Sequence, residues 1–171
     1  GVRLGVSSYT RHHPNATMTK AKITGSYANS VLAKTLAKRS GFDDCLLLDP
    51  QGFVSEGSGE NIFLVRKGTI YTPPVTTALE GITRDSLITV ARDKGYKVIE
   101  EMISRDQLYI ADEVFVVGTA AECVPVREID FRRIGDGKAG PITRDIQGLY
   151  QAAIHGNHPR SAEWLDYVNQ K

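Results

Sequence analysis

The sequence predicts an α+β fold in which short strands form a mixed, barrel-like sheet with helices packed on its outside. Strand-like segments outnumber helical segments, and they follow one another in hairpin-like runs. A doubly wound sheet would instead show a strict alternation of strands and helices. The 171 residues suffice for one hydrophobic core, so we expect a single domain over residues 1–171.

The first half of the chain is predicted to hold one helix among several strands. A strand over residues 2–9 precedes a polar, irregular loop. Residues 27–39 carry apolar side chains at helical spacing, and Gly41 ends that helix. Its apolar pattern consists of Val31, Leu32 and Leu36 with Ala28, Ala33 and Ala37. Turn residues then separate four predicted strands, which are 45–48, 53–55, 61–66 and 69–72.

The second half is predicted to hold three helices and three further strands. A helix over residues 82–94 ends at Gly95. Its apolar stripe consists of Ile82, Leu87, Ile88 and Ala91. A short helix over 105–110 and a final helix over 142–153 complete the helical set. The remaining predicted strands are 96–103, 113–118 and 122–129.

Composition excludes several classes of function. Hydrophobic residues make up 41% of the chain and charged residues 24%, as in an ordinary globular protein. The net charge of +1 gives no basic face for nucleic acid. Apolar runs such as 45–48 are far too short to span a bilayer. The two cysteines, Cys45 and Cys123, lie in strand-like runs and could pair, but two buried, reduced thiols fit better, so we expect a cytoplasmic protein.

The chain begins with Gly1, and a predicted strand follows at once. A processed N-terminus would explain this start, and so would a preceding domain that is absent from this chain. The four histidines lie in loop or tail segments and lack the cysteine or carboxylate spacing of a metal site. We therefore expect His12, His13, His155 and His158 to be solvated and predict no metal.

Three segments have the character of a ligand site. The run 56–61, Glu-Gly-Ser-Gly-Glu-Asn, is rich in turn residues and lies between two strands. Gly81 opens a helix, whose N-terminus is a natural site for a phosphate group. Residues 118–121 follow an apolar strand and suit a second anion-binding turn. Each signal alone is weak, but a phosphate-bearing cofactor connects them. No nucleotide-binding glycine motif is present.

The order and spacing of five motifs resemble the branched-chain amino-acid aminotransferases, which are fold-type IV pyridoxal-phosphate enzymes. The motifs are Lys-Ile-Thr-Gly-Ser-Tyr at 22–27, Ser-Glu-Gly-Ser-Gly-Glu-Asn-Ile-Phe at 55–63, Gly-Ile-Thr-Arg-Asp at 81–85, Ala-Asp-Glu-Val-Phe at 111–115 and Gly-Thr-Ala-Ala-Glu at 118–122. The resemblance extends from about Gly1 to the C-terminus. It implies that residues 1–171 form the large, C-terminal cofactor-binding domain.

The resemblance implies a role for several residues toward pyridoxal 5'-phosphate. Lys22 matches the lysine that forms the Schiff base; Lys20 is its rival, but Tyr27 follows Lys22 by the family's five positions. Tyr27 matches the hydrogen-bond donor to the phenolic oxygen, and Glu56 matches the carboxylate that pairs with the ring nitrogen. The phosphate ligands are matched by Ile82, Thr83 and Thr119, and the ring contacts by Leu79 and Gly59.

The resemblance also implies substrates and partners. The backbone N–H groups of Thr119 and Ala120 match those that hold the substrate carboxylate. The implied substrates are leucine, isoleucine or valine with 2-oxoglutarate, and the implied partners are a smaller N-terminal domain and further copies of the chain in a homo-oligomer. Departures from the common pattern are Ser26 in place of Asn, and Glu80 in place of Pro.

Other functions remain open from the sequence. A D-amino-acid aminotransferase or an aminodeoxychorismate lyase would share the same fold type. A folded remnant without catalytic activity is a third interpretation. The residues that would distinguish a branched-chain aminotransferase from these two enzymes lie partly in the expected N-terminal domain.

Overall fold

The computed structural model describes residues 1–168, which form a nine-stranded mixed sheet with helices on its outside. The strands are β1 Val2–Val6, β2 Asp44–Leu48, β3 Val54–Gly57, β4 Asn61–Arg66, β5 Thr69–Thr72, β6 Val98–Glu100, β7 Glu113–Gly118, β8 Glu122–Ile129 and β9 Arg132–Arg133. The helices are α1 Tyr27–Arg39, α2 Ile82–Asp93, α3 Arg105–Tyr109, α4 Pro141–Ile154 and α5 Ser161–Trp164. The α+β prediction is confirmed.

The sheet runs in the order β3-β2-β1-β8-β7-β4-β5-β6, with β9 paired to β8. Strand β1 is parallel to β2 and to β8, and β5 is parallel to β6. The other pairs are antiparallel. Parallel neighbours need a long connection, and α1 and α2 supply two of these connections.

Side chains alternate between the two faces of the central strands. One face of β4 and β7 packs against α2 and α4, and its members are Phe63, Val65, Phe115 and Val117. The rings of Phe63 and Phe115 are stacked with centroids 5.0 Å apart. The other face builds a second core with β1, β2 and β8, and its members from β4 and β7 are Ile62, Leu64, Val114 and Val116.

Helix α1 packs through its small residues rather than its large ones. Ala33 and Ala37 lie against Cys45 and Leu47 of β2. Small side chains let a helix lie close to a sheet, so the larger apolar positions point outward. Val31, Leu32 and Leu36 are accordingly exposed, although they belong to the apolar pattern that predicts this helix. In α2, Leu87, Ile88 and Ala91 are buried as predicted, but Ile82 is exposed.

The predicted strand over residues 2–9 is shorter in the structure, since β1 ends at Val6. The chain nevertheless continues beside β2: the N–H of Ser7 donates to the Leu46 carbonyl at 2.8 Å, and that of Arg11 to the Leu48 carbonyl at 2.7 Å. The predicted strand over 96–103 is also shorter, because only Val98–Glu100 pairs with β5.

Among the described residues 1–168, no helix is both long enough and apolar enough to cross a membrane. Cys45 and Cys123 are buried and not paired with each other. Burial raises the pKa of each thiol to about 12.

Candidate active site

A cavity of about 220 Å³ lies where the ends of β3 and β7 and the start of β4 meet the N-terminus of α2. The loop before α1 closes another side of it. The structure brings to this cavity every residue that the sequence assigned to the cofactor, which are Lys22, Tyr27, Glu56, Gly59, Leu79, Ile82, Thr83 and Thr119. Their roles toward a cofactor stay predictions.

Glu56 is a buried carboxylate in β3 that lines the cavity. Its Oε1 lies 2.8 Å from Nε of Arg11, and only 8% of each of these two side chains is exposed. Its Oε2 accepts hydrogen bonds from the N–H of Leu79 at 2.9 Å and from Nδ2 of Asn61 at 3.4 Å. Both carboxylate oxygens are therefore held in place.

The environment of Glu56 shifts its acidity in two directions. Burial disfavours the charged form and raises the pKa of the Glu56 carboxyl above its ordinary value. The guanidinium of Arg11 and the N–H of Leu79 act against this rise, because both favour the carboxylate. A buried carboxyl with a raised pKa and a specific charge partner is typical of functional sites.

The N-terminus of α2 offers an anion site. Gly81 precedes the helix, and no side chain caps its first N–H groups. Thr83, in the first turn, is buried at the cavity wall. The Ile82 side chain is apolar and 84% exposed, so the polar group that Ile82 offers to an anion is its backbone N–H. Free N–H groups and the positive end of the helix dipole favour a phosphate group here.

Asn61 explains why a glycine stands at position 81. A Cβ on Gly81 would overlap Oδ1 of Asn61. The Asn61 side chain also donates from Nδ2 to the Leu79 carbonyl at 3.0 Å. Asn61 thus ties the start of β4 to the segment that leads into α2.

The two candidate lysines have different surroundings. Lys20 pairs with Oε1 of Glu80 at 2.8 Å and donates to the carbonyl of Val75. Lys22 lines the same cavity but forms no ion pair or side-chain hydrogen bond with the part of the chain that the structure describes. Its φ of 49° lies in the left-handed region, which is uncommon for a residue with a side chain and clusters at functional sites. These features favour Lys22 over Lys20 as the reactive amine.

Of the remaining predicted residues, Tyr27 and Thr119 line the same cavity, whereas Ala120 is not among its lining residues. Tyr27 begins α1, directly after a single 3-10 turn over Thr24–Ser26. Thr119 follows β7 and lines the cavity, and Ala120 is the next residue of the exposed turn. A Cβ on Gly118 would lie 3.3 Å from the carbonyl oxygen of Gly59, so the turn after β3 approaches the end of β7 closely.

The donor set fits pyridoxal 5'-phosphate on chemical grounds. Lys22 would supply an amine for the aldehyde, Tyr27 a hydroxyl for the phenolic oxygen, and Glu56 a carboxylate for the ring nitrogen. The start of α2 supplies donors for the phosphate. Within residues 1–168, no group of three or more His, Cys, Asp or Glu is arranged to hold a metal ion.

Arg11 is a member of the site that the sequence did not reveal. Arg11 lines the cavity and carries the closest positive charge to Glu56. It lies in a polar loop without a periodic pattern, and its partner lies 45 positions away in sequence (56 − 11). Asn61 likewise has no separate role in the sequence prediction, yet the structure places it against Glu56 and Gly81.

A mixed sheet that presents an amine, a buried carboxylate and a free helix N-terminus to one cavity has the architecture of fold-type IV enzymes. The chain matches the family model described as "Amino-transferase class IV" over residues 2–129. It therefore belongs to the class IV aminotransferase family.

Known relatives agree with this assignment. The chain is 50% identical over 168 residues, or 98% of its length, to the branched-chain-amino-acid aminotransferase of Pseudomonas aeruginosa. It is 45% identical to the Escherichia coli protein of the same name over 99% of its length. It also superimposes with a TM-score of 0.96, at 51% identity and 99% coverage, on a T.th. branched-chain amino acid aminotransferase solved with pyridoxamine 5'-phosphate.

The chain spans only about half the length of these relatives. It covers 55% of the Pseudomonas aeruginosa and Escherichia coli proteins. It likewise covers 55% of the T.th. chain in the crystal structure.

Proposed function

We propose that this chain forms the cofactor-binding part of a pyridoxal-phosphate-dependent aminotransferase for branched-chain L-amino acids. The enzyme would transfer the amino group of leucine, isoleucine or valine to 2-oxoglutarate, giving a branched 2-oxo acid and glutamate. The observation that carries the proposal is the convergence of Lys22, Glu56 and the α2 N-terminus on one cavity, in a chain of the class IV family.

The residues of the cavity have separable tasks in this proposal. When bound, pyridoxal phosphate supplies an electron sink that stabilises negative charge at the substrate Cα. Lys22 would hold the cofactor through its aldehyde, and the Lys22 amine would carry a proton to and from the substrate Cα. Glu56 keeps a proton on the ring nitrogen, and Tyr27 donates a hydrogen bond to the phenolic oxygen.

The backbone and hydroxyl groups hold the anionic parts of the ligands. Ile82 and Thr83 bind the phosphate through the first N–H groups of α2, and the Thr119 hydroxyl adds a further donor. Leu79 and Gly59 contact the ring. The N–H groups of Thr119 and Ala120 hold the substrate carboxylate in the turn after β7.

Two solved structures of one relative support the choice of cofactor and substrate class. The T.th. enzyme has been solved with pyridoxamine 5'-phosphate and also with 4-methylvaleric acid, which has a branched aliphatic chain. The relatives' greater length supports a second segment that completes the pocket, and the exposed Ile82 at the cavity offers an apolar surface for it. We further propose a homo-oligomer and a cytoplasmic location, where unpaired thiols such as Cys45 stay reduced.

The test is an amino-donor profile of the full-length protein with 2-oxoglutarate as acceptor. Leucine, isoleucine and valine should be used far faster than D-alanine, and glutamate should form in equal amount to the 2-oxo acid. Faster use of D-alanine would assign the protein to the D-amino-acid aminotransferases. Conversion of aminodeoxychorismate would assign it to the lyases of the same fold type.

A further inference from the structure

The guanidinium of Arg11 is buried beside the cavity, and a buried charge is costly unless it is paired and hydrogen-bonded. Its partner is Glu56, with Nε 2.8 Å from Oε1. We propose that Arg11 is a positioning residue that keeps Glu56 ionised and oriented for the ring nitrogen of the cofactor. This inference rests on the proposed function, because it concerns a bound cofactor. The ion pair between Arg11 and Glu56 is observed independently of that function.

The backbone fixes Arg11 where it stands. Its N–H donates to the Leu48 carbonyl at 2.7 Å, which continues the parallel contact between the β1 side of the chain and β2. Its Nε also lies 3.4 Å from the Thr77 carbonyl oxygen. Arg11 therefore contacts β2, β3 and the segment before α2. Both its backbone N–H and its guanidinium are held in place.

Arg11 completes a set of contacts that restrains the Glu56 carboxylate. Arg11 engages Oε1, and the N–H of Leu79 engages Oε2 at 2.9 Å. A carboxylate with both oxygens engaged cannot rotate freely. It therefore presents one fixed edge to a ligand in the cavity, which is the preorganisation that a binding site requires.

The charge of Arg11 decides where a shared proton resides. The charged groups that act on Glu56 are Arg11, Lys20 and Glu60, and Arg11 opposes the effect of burial most strongly. With Arg11 present, an ionised Glu56 would accept a hydrogen bond from a protonated ring nitrogen. Without Arg11, the shared proton would reside on the carboxylate, and the ring would lack its positive charge.

The first experiment needs no cofactor. In the apo form of the full-length protein, the ¹³C resonance of the Glu56 carboxyl group is followed against pH in wild type and in Arg11→Met. We expect Arg11→Met to raise the pKa of Glu56, so that the group is protonated in a pH range where the wild-type group is ionised. Arg11→Gln serves as the second neutral variant where Arg11→Met does not fold.

Two further variants separate charge from general structure. Arg11→Lys keeps the positive charge and should leave the Glu56 titration near that of wild type. Lys20→Gln removes a positive charge from the same cavity wall without a direct contact to Glu56, and it should shift the titration much less than Arg11→Met. An unchanged Glu56 titration in the folded neutral variants would overturn the proposal.

The second experiment uses cofactor labelled with ¹⁵N at the ring nitrogen. The wild-type holoprotein should show the chemical shift of a protonated pyridine, and the neutral Arg11 variants should move toward the shift of neutral pyridine. A wild-type protein that binds no cofactor would refute the proposed function, and the apo titration would then decide the role of Arg11. A protonated ring nitrogen in the neutral variants would refute the inference alone.

Discussion

The carboxylate of Glu113 caps helix α4 from the start of β7. Its Oε2 accepts hydrogen bonds from the N–H and the hydroxyl of Thr143, at 2.7 and 2.6 Å. Its Oε1 accepts another from the N–H of Ile142 at 3.1 Å. A Cβ on Gly140 would overlap the Glu113 side chain. The glycine before the helix therefore leaves room for the carboxylate to reach the first N–H groups of α4.

Replacing Glu113 with Gln should destabilise the protein without touching the cavity. The amide NH₂ would face N–H donors that now have a carboxylate acceptor, which leaves a buried group unsatisfied. We expect the free energy of unfolding to fall by about 1–3 kcal/mol, measured by urea denaturation. Glu101→Gln, at an exposed position, is the matched control and should change stability little. Equal effects of the two substitutions would contradict the capping role.

The Glu113 cap illustrates which parts of the fold the sequence predicts. The local pattern predicts helix α4 over 142–153, and the structure gives Pro141–Ile154. The partner of its N-terminus lies 30 positions away at Glu113, and no local pattern reveals such a contact. Helix α1 is likewise predictable, but its packing face is not. Val31 and Leu32 have the hydrophobicity of a core stripe, yet Ala33 fits closely against the sheet.

Lys22 should be the residue that carries the cofactor. Treatment of the holoprotein with borohydride reduces the linkage and makes it permanent, so the modified peptide can be identified by mass spectrometry. We expect the label on Lys22, because Lys20 is engaged by Glu80 at 2.8 Å. Lys20→Ala should keep the label and Lys22→Ala should lose it. A label on Lys20, or on neither lysine, would contradict the assignment.

Glu56→Gln should preserve cofactor binding but slow transamination. A neutral amide cannot keep the ring nitrogen protonated, and a group of this kind contributes about 100-fold or more to rate. The substitution also leaves Arg11 buried without a countercharge, so thermal stability should fall. Glu60→Gln removes another carboxylate that lines the cavity and should slow the reaction far less. Turnover of Glu56→Gln near the wild-type rate would contradict the proposal that Glu56 keeps the ring nitrogen protonated.

In the candidate site, as in the fold, the sequence predicts features that depend on neighbouring residues better than contacts between distant ones. The sequence identifies Lys22, Glu56 and Thr83 because each lies in a short motif whose resemblance to a family can be read from consecutive residues. Arg11 lies outside those motifs, and its meaning depends on the fold, which carries the loop after β1 past β2 to the end of β3. The sequence therefore predicts the groups that a ligand would touch more readily than it predicts Arg11, which pairs with one of those groups, Glu56.

The 171-residue chain on its own should associate and have little activity. Ile82 is 84% exposed at the cavity, and Val31, Leu32 and Leu36 form a further exposed apolar surface on α1. Such surfaces favour association, so we expect the isolated chain to aggregate or to form oligomers, as measured by light scattering. It should bind pyridoxal phosphate weakly and show no measurable transamination of leucine, because its relatives are nearly twice as long and their additional segment would complete the pocket.

The corresponding assay combines leucine, 2-oxoglutarate and the isolated chain, with and without a separately expressed polypeptide from the preceding part of the longer protein. Addition of that polypeptide should restore part of the activity by rebuilding the wall opposite Lys22 and Glu56. An unrelated soluble domain at the same concentration is the control, and it should restore none. Robust turnover by the isolated chain would show instead that Thr119 and its neighbours complete the substrate site within these residues.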